Sequence, residues 1–470
     1  MYNAVPQGAP FAAGKPLPFG QVRVVYHGYS PGRWVNASPT GIRASRMTKL
    51  ANRPLVVVPN MQIAYLLSEY PTLGHTYLLR EVRELRALGW DIQTVSIRKP
   101  KNRPSQLSAA EQQEWDSTWY ILGSGPLQFL RAHAATFATR PRRYLRGLLT
   151  ACRIGRFHPH STARAMAYFL EAVLAGHRLR QAGIEHVHSV YTTTVALIMT
   201  RVFDIRLSMT IHGPSEFFDP ESFRIREKVA AAELVTSISY FCRSQIMLWS
   251  LPSDWHKIEV VPLGIDISGW QPATFRERPA PFELISVGRL ADVKGYPLLL
   301  EAVALLVAEG RNVRLRLVGD GPDSHQLQER ARQLGIAGRV IFEGWKTQDE
   351  LRQMYAESDL CVLSSFAEGV PVVLMEAMAT GVPCVAPRIT GIPELIRDGI
   401  EGLLVTPANL ADLASAIASL MDNPELRRQM ATLSRERIAD QYELRKNVQR
   451  LSNLFSRKMP QDRPASSPSN

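Results

Sequence analysis

The chain is short of several things, and each shortage removes a class of protein. No apolar run reaches the 18 or so residues that span a bilayer. The N-terminus also lacks the ordered basic, apolar and small-residue segments of a secretory signal, so a cytoplasmic chain is expected. There are only four cysteines, Cys152, Cys242, Cys361 and Cys384. They have no paired spacing suited to a metal, and each lies in apolar sequence, which predicts reduced core thiols and no disulfides. His-Glu-x-x-His, Asp-x-Asp and Gly-x4-Gly-Lys-Ser/Thr are all absent. Their absence argues against a zinc hydrolase, a metal-dependent transferase and a P-loop NTPase. Acid is missing locally as well: none occurs between Asp116 and Glu171, where eight arginines stand (Arg131, Arg140, Arg142, Arg143, Arg146, Arg153, Arg156 and Arg164). Interleaved with Leu, Phe, Tyr and Ala, this segment reads either as a face lying on an anionic membrane surface or as a solvated basic helix face. Nucleic acid is not expected, because no recognised nucleic-acid module surrounds the arginines.

What is present points to two domains. A chain of 470 residues exceeds what one core normally supports, and 45% hydrophobic content fits a globular protein. The net charge of +12 implies an anionic partner: nucleic acid, a membrane surface or a phosphorylated small molecule. Residues 1–60, rich in Pro, Gly, Ala and Arg, have no sustained period and read as a poorly structured extension. Met47 and Met61 both precede plausible beginnings, which leaves open a translation start placed too far upstream. From residue 61 strands and helices alternate. Strands are expected at 62–68, 91–97, 186–191, 206–211, 234–238 and 258–261, with an amphipathic helix at 76–88. A second alternating set follows at 282–287, 313–318, 340–342, 359–363, 383–386 and 402–405. The predicted organisation is a first α/β domain over 61–262 with a basic helical insertion at about 117–170. A linker over 263–281 leads to a second domain over 282–440, a helix over 441–456 and a disordered tail over 457–470.

Residues 364–387, SSFAEGVPVVLMEAMATGVPCVAP, hold two glutamates, Glu368 and Glu376, in apolar and small-residue sequence. A carboxylate in such a setting needs a ligand or a tight internal partner. The separation of eight positions amounts to about 2.2 helical turns, so both can address one elongated ligand. The stretch SVGRLADVKG at 286–295 ends a strand and carries Arg289 and Lys294 where an open α/β sheet binds its ligands, as a diphosphate site would. Two fixed cations there can neutralise charge building on a departing phosphate. TGIPE at 390–394 sets Gly391 and Ile392 at the start of a short helix whose free N–H groups could meet an anion. His212 ends a strand before a Gly-Pro turn, whereas His186 and His188 lie within one and read as structural. Gly74, in the first strand-to-helix loop, would let the backbone approach a ligand.

Taken together, Glu368-x7-Glu376, Arg289 with Lys294, His212-Gly213 and VPLGID at 261–266 resemble the retaining, GT-B-fold glycosyltransferases of the glycosyltransferase 4 type. The likeness covers roughly residues 61–456, and stretches 185–217 and 368–379 look like the bacterial exopolysaccharide branch similar to colanic acid glycosyltransferases. The resemblance implies an α/β GT-B fold, two Rossmann-like doubly wound domains facing across a cleft. It implies a UDP- or GDP-sugar donor held by the second domain, a glycan or lipid-linked acceptor held by the first, a cleft that closes between them and no metal ion. By the same resemblance Arg289 and Lys294 grip the diphosphate, Glu376 binds the ribose hydroxyls and Glu368 contacts the donor sugar. His212 meets that sugar from across the cleft, and the amides of Gly391 and Ile392 help hold the donor. Gly74 and His75, standing where this branch more often has Ser-Glu-Thr, fall on the acceptor side, and Leu263 replaces the usual asparagine before Gly264. A two-lobed binding protein, a GT-B nucleotide-sugar epimerase and a catalytically silent partner in a polysaccharide complex share parts of this pattern.

Overall fold

The computed structural model describes residues 62–72, 76–100, 107–155, 159–213 and 216–458. The extension over 1–60, Gly74, His75, Arg156 and the tail from 459 onward lie outside the described residues. Arg457 and Lys458, expected in the tail, instead close the last helix, Leu444–Lys458.

Thirteen strands among the described residues build two sheets that are parallel throughout. The first takes β1 (Gln62–Glu69), β2 (Asp91–Arg98), β3 (Trp119–Tyr120), β4 (His186–Val190), β5 (Arg206–Ile211), β6 (Leu234–Ser237) and β7 (Ile258–Val260), in the order β3-β2-β1-β4-β5-β6-β7. The second takes β8 (Phe282–Val287), β9 (Val313–Val318), β10 (Val340–Gly344), β11 (Leu360–Val362), β12 (Cys384–Pro387) and β13 (Gly402–Val405), in the order β10-β9-β8-β11-β12-β13. Strands covered on both faces need apolar side chains on both, and β8 is buried at all six positions, β4 at all five. Cys361 and Cys384 face each other in register on β11 and β12 as free, buried thiols.

Each sheet winds outward one way from its first strand and then the other way. The reversal falls between β1 and β4 in the first sheet and between β8 and β11 in the second. Loops leaving neighbouring strands at such a point diverge and open a crevice at the carboxyl ends, which is where ligands of open α/β sheets sit.

The basic segment is an integral layer of the first lobe. Helices Pro126–Thr139, Pro141–Ile154 and Pro159–Gln181 cover one face of the sheet, seating Ala132, Ala151, Ala165 and Phe169 in its core. The opposite face is covered by helix Thr76–Ala87 and by Leu444–Lys458, the last helix of the chain. Leu444, Val448, Leu451, Leu454 and Phe455 of the last helix are buried there, and the Trp90 indole N–H donates to Ser452 Oγ at 2.8 Å. Five such side chains contribute roughly 10 kcal/mol as an upper bound. The two crossings between lobes run side by side: Ile265 N–H donates to Tyr442 O at 2.9 Å and Leu444 N–H to Ile265 O at 3.0 Å.

Candidate active site

Both strands at the switch point of the second sheet deliver charged residues. After β8 the chain turns at Gly288, places Arg289 at the surface, and folds back so that the Lys294 side chain lies over the Gly288 backbone. After β11 it runs through Ser364 and Ser365 to Glu368. Two bonds tie the loops together: Ser364 Oγ donates to Lys294 O at 3.0 Å, and Phe366 N–H to Val293 O at 2.9 Å. Lys294 Nζ lies 2.6 Å from Glu368 Oε1, and that oxygen also accepts from Ser365 Oγ at 2.7 Å. The structure thus brings Lys294 and Glu368 together, with Arg289 on the same strand end. Among the described residues Arg289 makes no ion pair.

Glu376 stands apart from that pair, on the helix Val372–Thr380, and is buried. Its Oε1 accepts from Gln348 Nε2 at 3.0 Å, and Gln348 Oε1 in turn accepts from Arg80 Nη2 at 2.5 Å. Arg80 belongs to the first lobe, so this chain of bonds crosses between the lobes. Burial pushes the Glu376 carboxyl above its usual range, while the Gln348 hydrogen bond and the charges of Arg80 and Arg352 pull it back. The helix begins at Pro371 with no capping side chain, leaving its first N–H groups free of a side-chain acceptor just beyond Glu368 and Gly369.

Across the cleft, His212 follows β5 and is buried with its ring between two tyrosines, Tyr77 at 5.1 Å and Tyr191 at 5.3 Å between centroids. The two tyrosine hydroxyls are hydrogen-bonded at 2.7 Å. Tyr191 leaves β4 with φ of 63°, a left-handed conformation uncommon for a non-glycine residue and frequent where a site constrains the chain. The lobes meet here: a Cβ added to Gly369 would stand 2.5 Å from His212 O, so only glycine allows this approach. His186 and His188 bond to Ser208 Oγ and Thr210 Oγ1 inside the sheet, and burial holds each imidazole down to about 3. They remain neutral structural residues.

The loop with the expected donor amides is bonded internally. The amides of Gly391 and Ile392 are already used: Gly391 N–H donates to Gly369 O at 3.2 Å and Ile392 N–H to Ile389 O at 3.0 Å. The helix they open, Ile392–Leu395, is a single turn that points its Glu394 carboxylate at the first lobe, accepting from Tyr240 N–H and Phe241 N–H at 2.7 Å each. That loop therefore joins the lobes and has no spare donors at those two positions. Tyr77, Tyr191, Arg80, Gln348 and Ser365 were not singled out from the sequence. The strand-end rule that flagged His212 applies equally to Tyr191. Arg80 and Gln348 carry no such signal, because each reads locally as an ordinary polar helix position. Among the described residues no group of three or more His, Cys, Asp or Glu is placed to hold a metal ion, and no helix is long and apolar enough to cross a membrane.

Comparison with known proteins bears on the family and the fold. Residues 271–437 match the family described as glycosyl transferases group 1. The chain is 24% identical to the putative colanic acid biosynthesis glycosyltransferase WcaL of Salmonella typhimurium, over 84% of this chain and 99% of that protein. It is 25% identical to the amylovoran biosynthesis glycosyltransferase AmsK of Erwinia amylovora, over 77% of this chain and 90% of that protein. Among solved structures, Anabaena HepE in complex with UDP and glucose superposes with a TM-score of 0.64 at 19% identity, covering 85% of this chain and all of that one. The fold is that of the GT-B glycosyltransferases, and the chain is a glycosyltransferase similar to WcaL and AmsK.

Proposed function

We propose that this glycosyltransferase moves a sugar from a UDP- or GDP-linked donor to a glycan or lipid-linked acceptor in the synthesis of a bacterial exopolysaccharide or cell-surface polysaccharide. Transfer takes place on the cytoplasmic side, with retention at the anomeric carbon and without a metal ion. The observation that carries this reading is the convergence of Lys294, Arg289 and Glu368 at the switch point of the second sheet, facing His212 across the lobe contact. The names of WcaL and AmsK support a polysaccharide product, and the HepE complex supports a UDP-sugar.

In this reading the diphosphate lies against Arg289 and Lys294 and beside the uncapped start of Val372–Thr380. The ribose hydroxyls bond Glu376, and the sugar lies between Glu368 and His212. The anomeric C–O bond breaks and its electron pair goes to the β-phosphate oxygen, whose charge the two cations stabilise. The acceptor hydroxyl attacks from the same face and its proton passes to the departing phosphate, so no second carboxylate is called for. Incubating the protein with radiolabelled UDP- and GDP-sugars and a lipid-linked glycan tests the assignment. The expected result is labelled acceptor carrying the donor's anomeric configuration, read from the anomeric proton coupling. An isomerised donor with no acceptor labelling would instead mark an epimerase, and donor binding without turnover a binding protein.

A further inference from the structure

Outside the cleft, the two helices Pro126–Thr139 and Pro141–Ile154 turn an unusual surface to solvent. On the first, the spacing of Leu127, Leu130, Ala134 and Phe137 sets them on one face, and all four are exposed; Ala132 and Thr136 are buried on the other side. On the second, Gly147 and Ala151 are buried, while Arg142, Leu145, Arg146, Leu149 and Arg153 point outward. The helix is seated closely, since a Cβ on Gly147 would meet Val202 Cγ2 at 2.3 Å. The five large apolar residues of this surface, Leu127, Leu130, Phe137, Leu145 and Leu149, are 45% to 66% exposed. Large apolar side chains exposed together on two neighbouring helices of a folded chain mark an interaction surface.

The charge around the row selects the partner. Asp204 holds Arg140 and Arg143 at the margin. Arg131, Arg142, Arg146, Arg153 and Arg164 are exposed, and among the described residues none has a carboxylate within 4 Å. A second copy of this chain, joined by a two-fold axis, would bring the same arginines face to face. A soluble polyanion would satisfy the arginines and leave the leucines and phenylalanine in water. An anionic bilayer offers both phosphates and an acyl boundary at one surface.

We propose that helices Pro126–Thr139 and Pro141–Ile154 form a docking face for an anionic lipid bilayer, with Leu127, Leu130, Phe137, Leu145 and Leu149 entering the acyl boundary and the unpaired arginines meeting lipid phosphates. The surface is remote from the donor residues and stands whatever sugar is transferred. The test is flotation of the full chain with vesicles of phosphatidylcholine alone and of phosphatidylcholine with about one-third phosphatidylglycerol. The protein should float with the anionic vesicles only. Arg142→Gln/Arg146→Gln/Arg153→Gln should lower the partition coefficient on the order of a hundredfold, about fivefold for each arginine. Leu130→Ser/Phe137→Ser should lower it about tenfold or more. Both variants alter exposed positions and should keep the parent's unfolding midpoint, which separates lost docking from lost folding. Equal flotation with neutral vesicles, no flotation, or unchanged partition of either variant would overturn the proposal. So would a concentration-dependent dimer that Leu130→Ser/Phe137→Ser abolishes, or retention on dextran sulfate without vesicle binding.

Discussion

Replacing Lys294 by alanine separates the observed task of one ammonium group from the proposed one. The first is internal: Nζ lies 2.6 Å from Glu368 Oε1, with the lysine side chain 21% exposed and the glutamate side chain 9%. Without it, the recorded side-chain partner left to that carboxylate is the Ser365 hydroxyl at 2.7 Å. Breaking a fully buried ion pair costs about 3–5 kcal/mol, and the partial exposure of the lysine reduces this to about 1–3 kcal/mol. For lobes of this size the unfolding midpoint should fall by roughly 3–10 °C. The second, proposed task is catalytic: removing one positioned donor from developing charge typically costs about 10²–10³ in kcat. Lys294→Ala/Glu368→Gln distinguishes the two, because a neutral amide needs no counter-ion. The double variant should recover most of the lost midpoint and none of the lost turnover, measured as nucleotide release from the donor that the protein accepts. If turnover returned together with stability, Lys294 would be only a counter-ion for Glu368, and the leaving-group assignment would be refuted.

Glu376→Ala should weaken nucleotide-sugar binding about ten- to a hundredfold by calorimetry while leaving circular dichroism unchanged, since Gln348 can turn to solvent; unchanged affinity would remove Glu376 from the ribose. Lys228 is buried beside Phe223, and burial holds its ammonium down to about 7 from the ordinary lysine value. Between that value and the unfolded pKa the unfolded chain binds more protons, so this residue makes stability rise with pH across that window. Lys228→Met should therefore exceed the parent in stability by a few kcal/mol at and below neutral pH, and the gap should close as pH approaches about 10 in urea titrations. A pH-independent gap would contradict the shift. Gly369→Ala puts a methyl group 2.5 Å from His212 O. It should cost about 1–3 kcal/mol or force the lobes apart, seen as a larger radius of gyration and reduced turnover.

Much of this architecture is legible in the residues alone. The strands announce themselves because a sheet covered on both sides favours largely apolar runs such as FELISV at β8, which Gly288 ends. Helix Val372–Thr380 reads correctly because Gly381 stops it in the left-handed conformation, φ 77°. The two-residue β3 is too short to leave a period. Side-chain neighbours across the sheet order are also unreadable: Lys294 finds Glu368 only because β8 and β11 are adjacent, and no local pattern states that adjacency. The partner of the Gly391 amide is hidden for the same reason. Local sequence shows a helix start, whereas the carbonyl that takes the Gly391 N–H belongs to Gly369, 22 positions earlier. Arg80 reaches Gln348 over a still longer separation in sequence.

The last helix, Leu444–Lys458, also bears on the order in which the protein is made. Its apolar stripe closes over Leu78, Val82, Leu85 and Trp90, residues that leave the ribosome hundreds of positions before it does. Through the whole synthesis of the second lobe, the first therefore has one face of its core open to water and to chaperones. The second lobe is an insertion within the first, which becomes complete only when the terminal residues arrive. A chain cut anywhere before residue 444 would lose the cover of that face together with the bonds Ile265 makes to Tyr442 and Leu444, so truncation at the far end should surface as insolubility of the beginning.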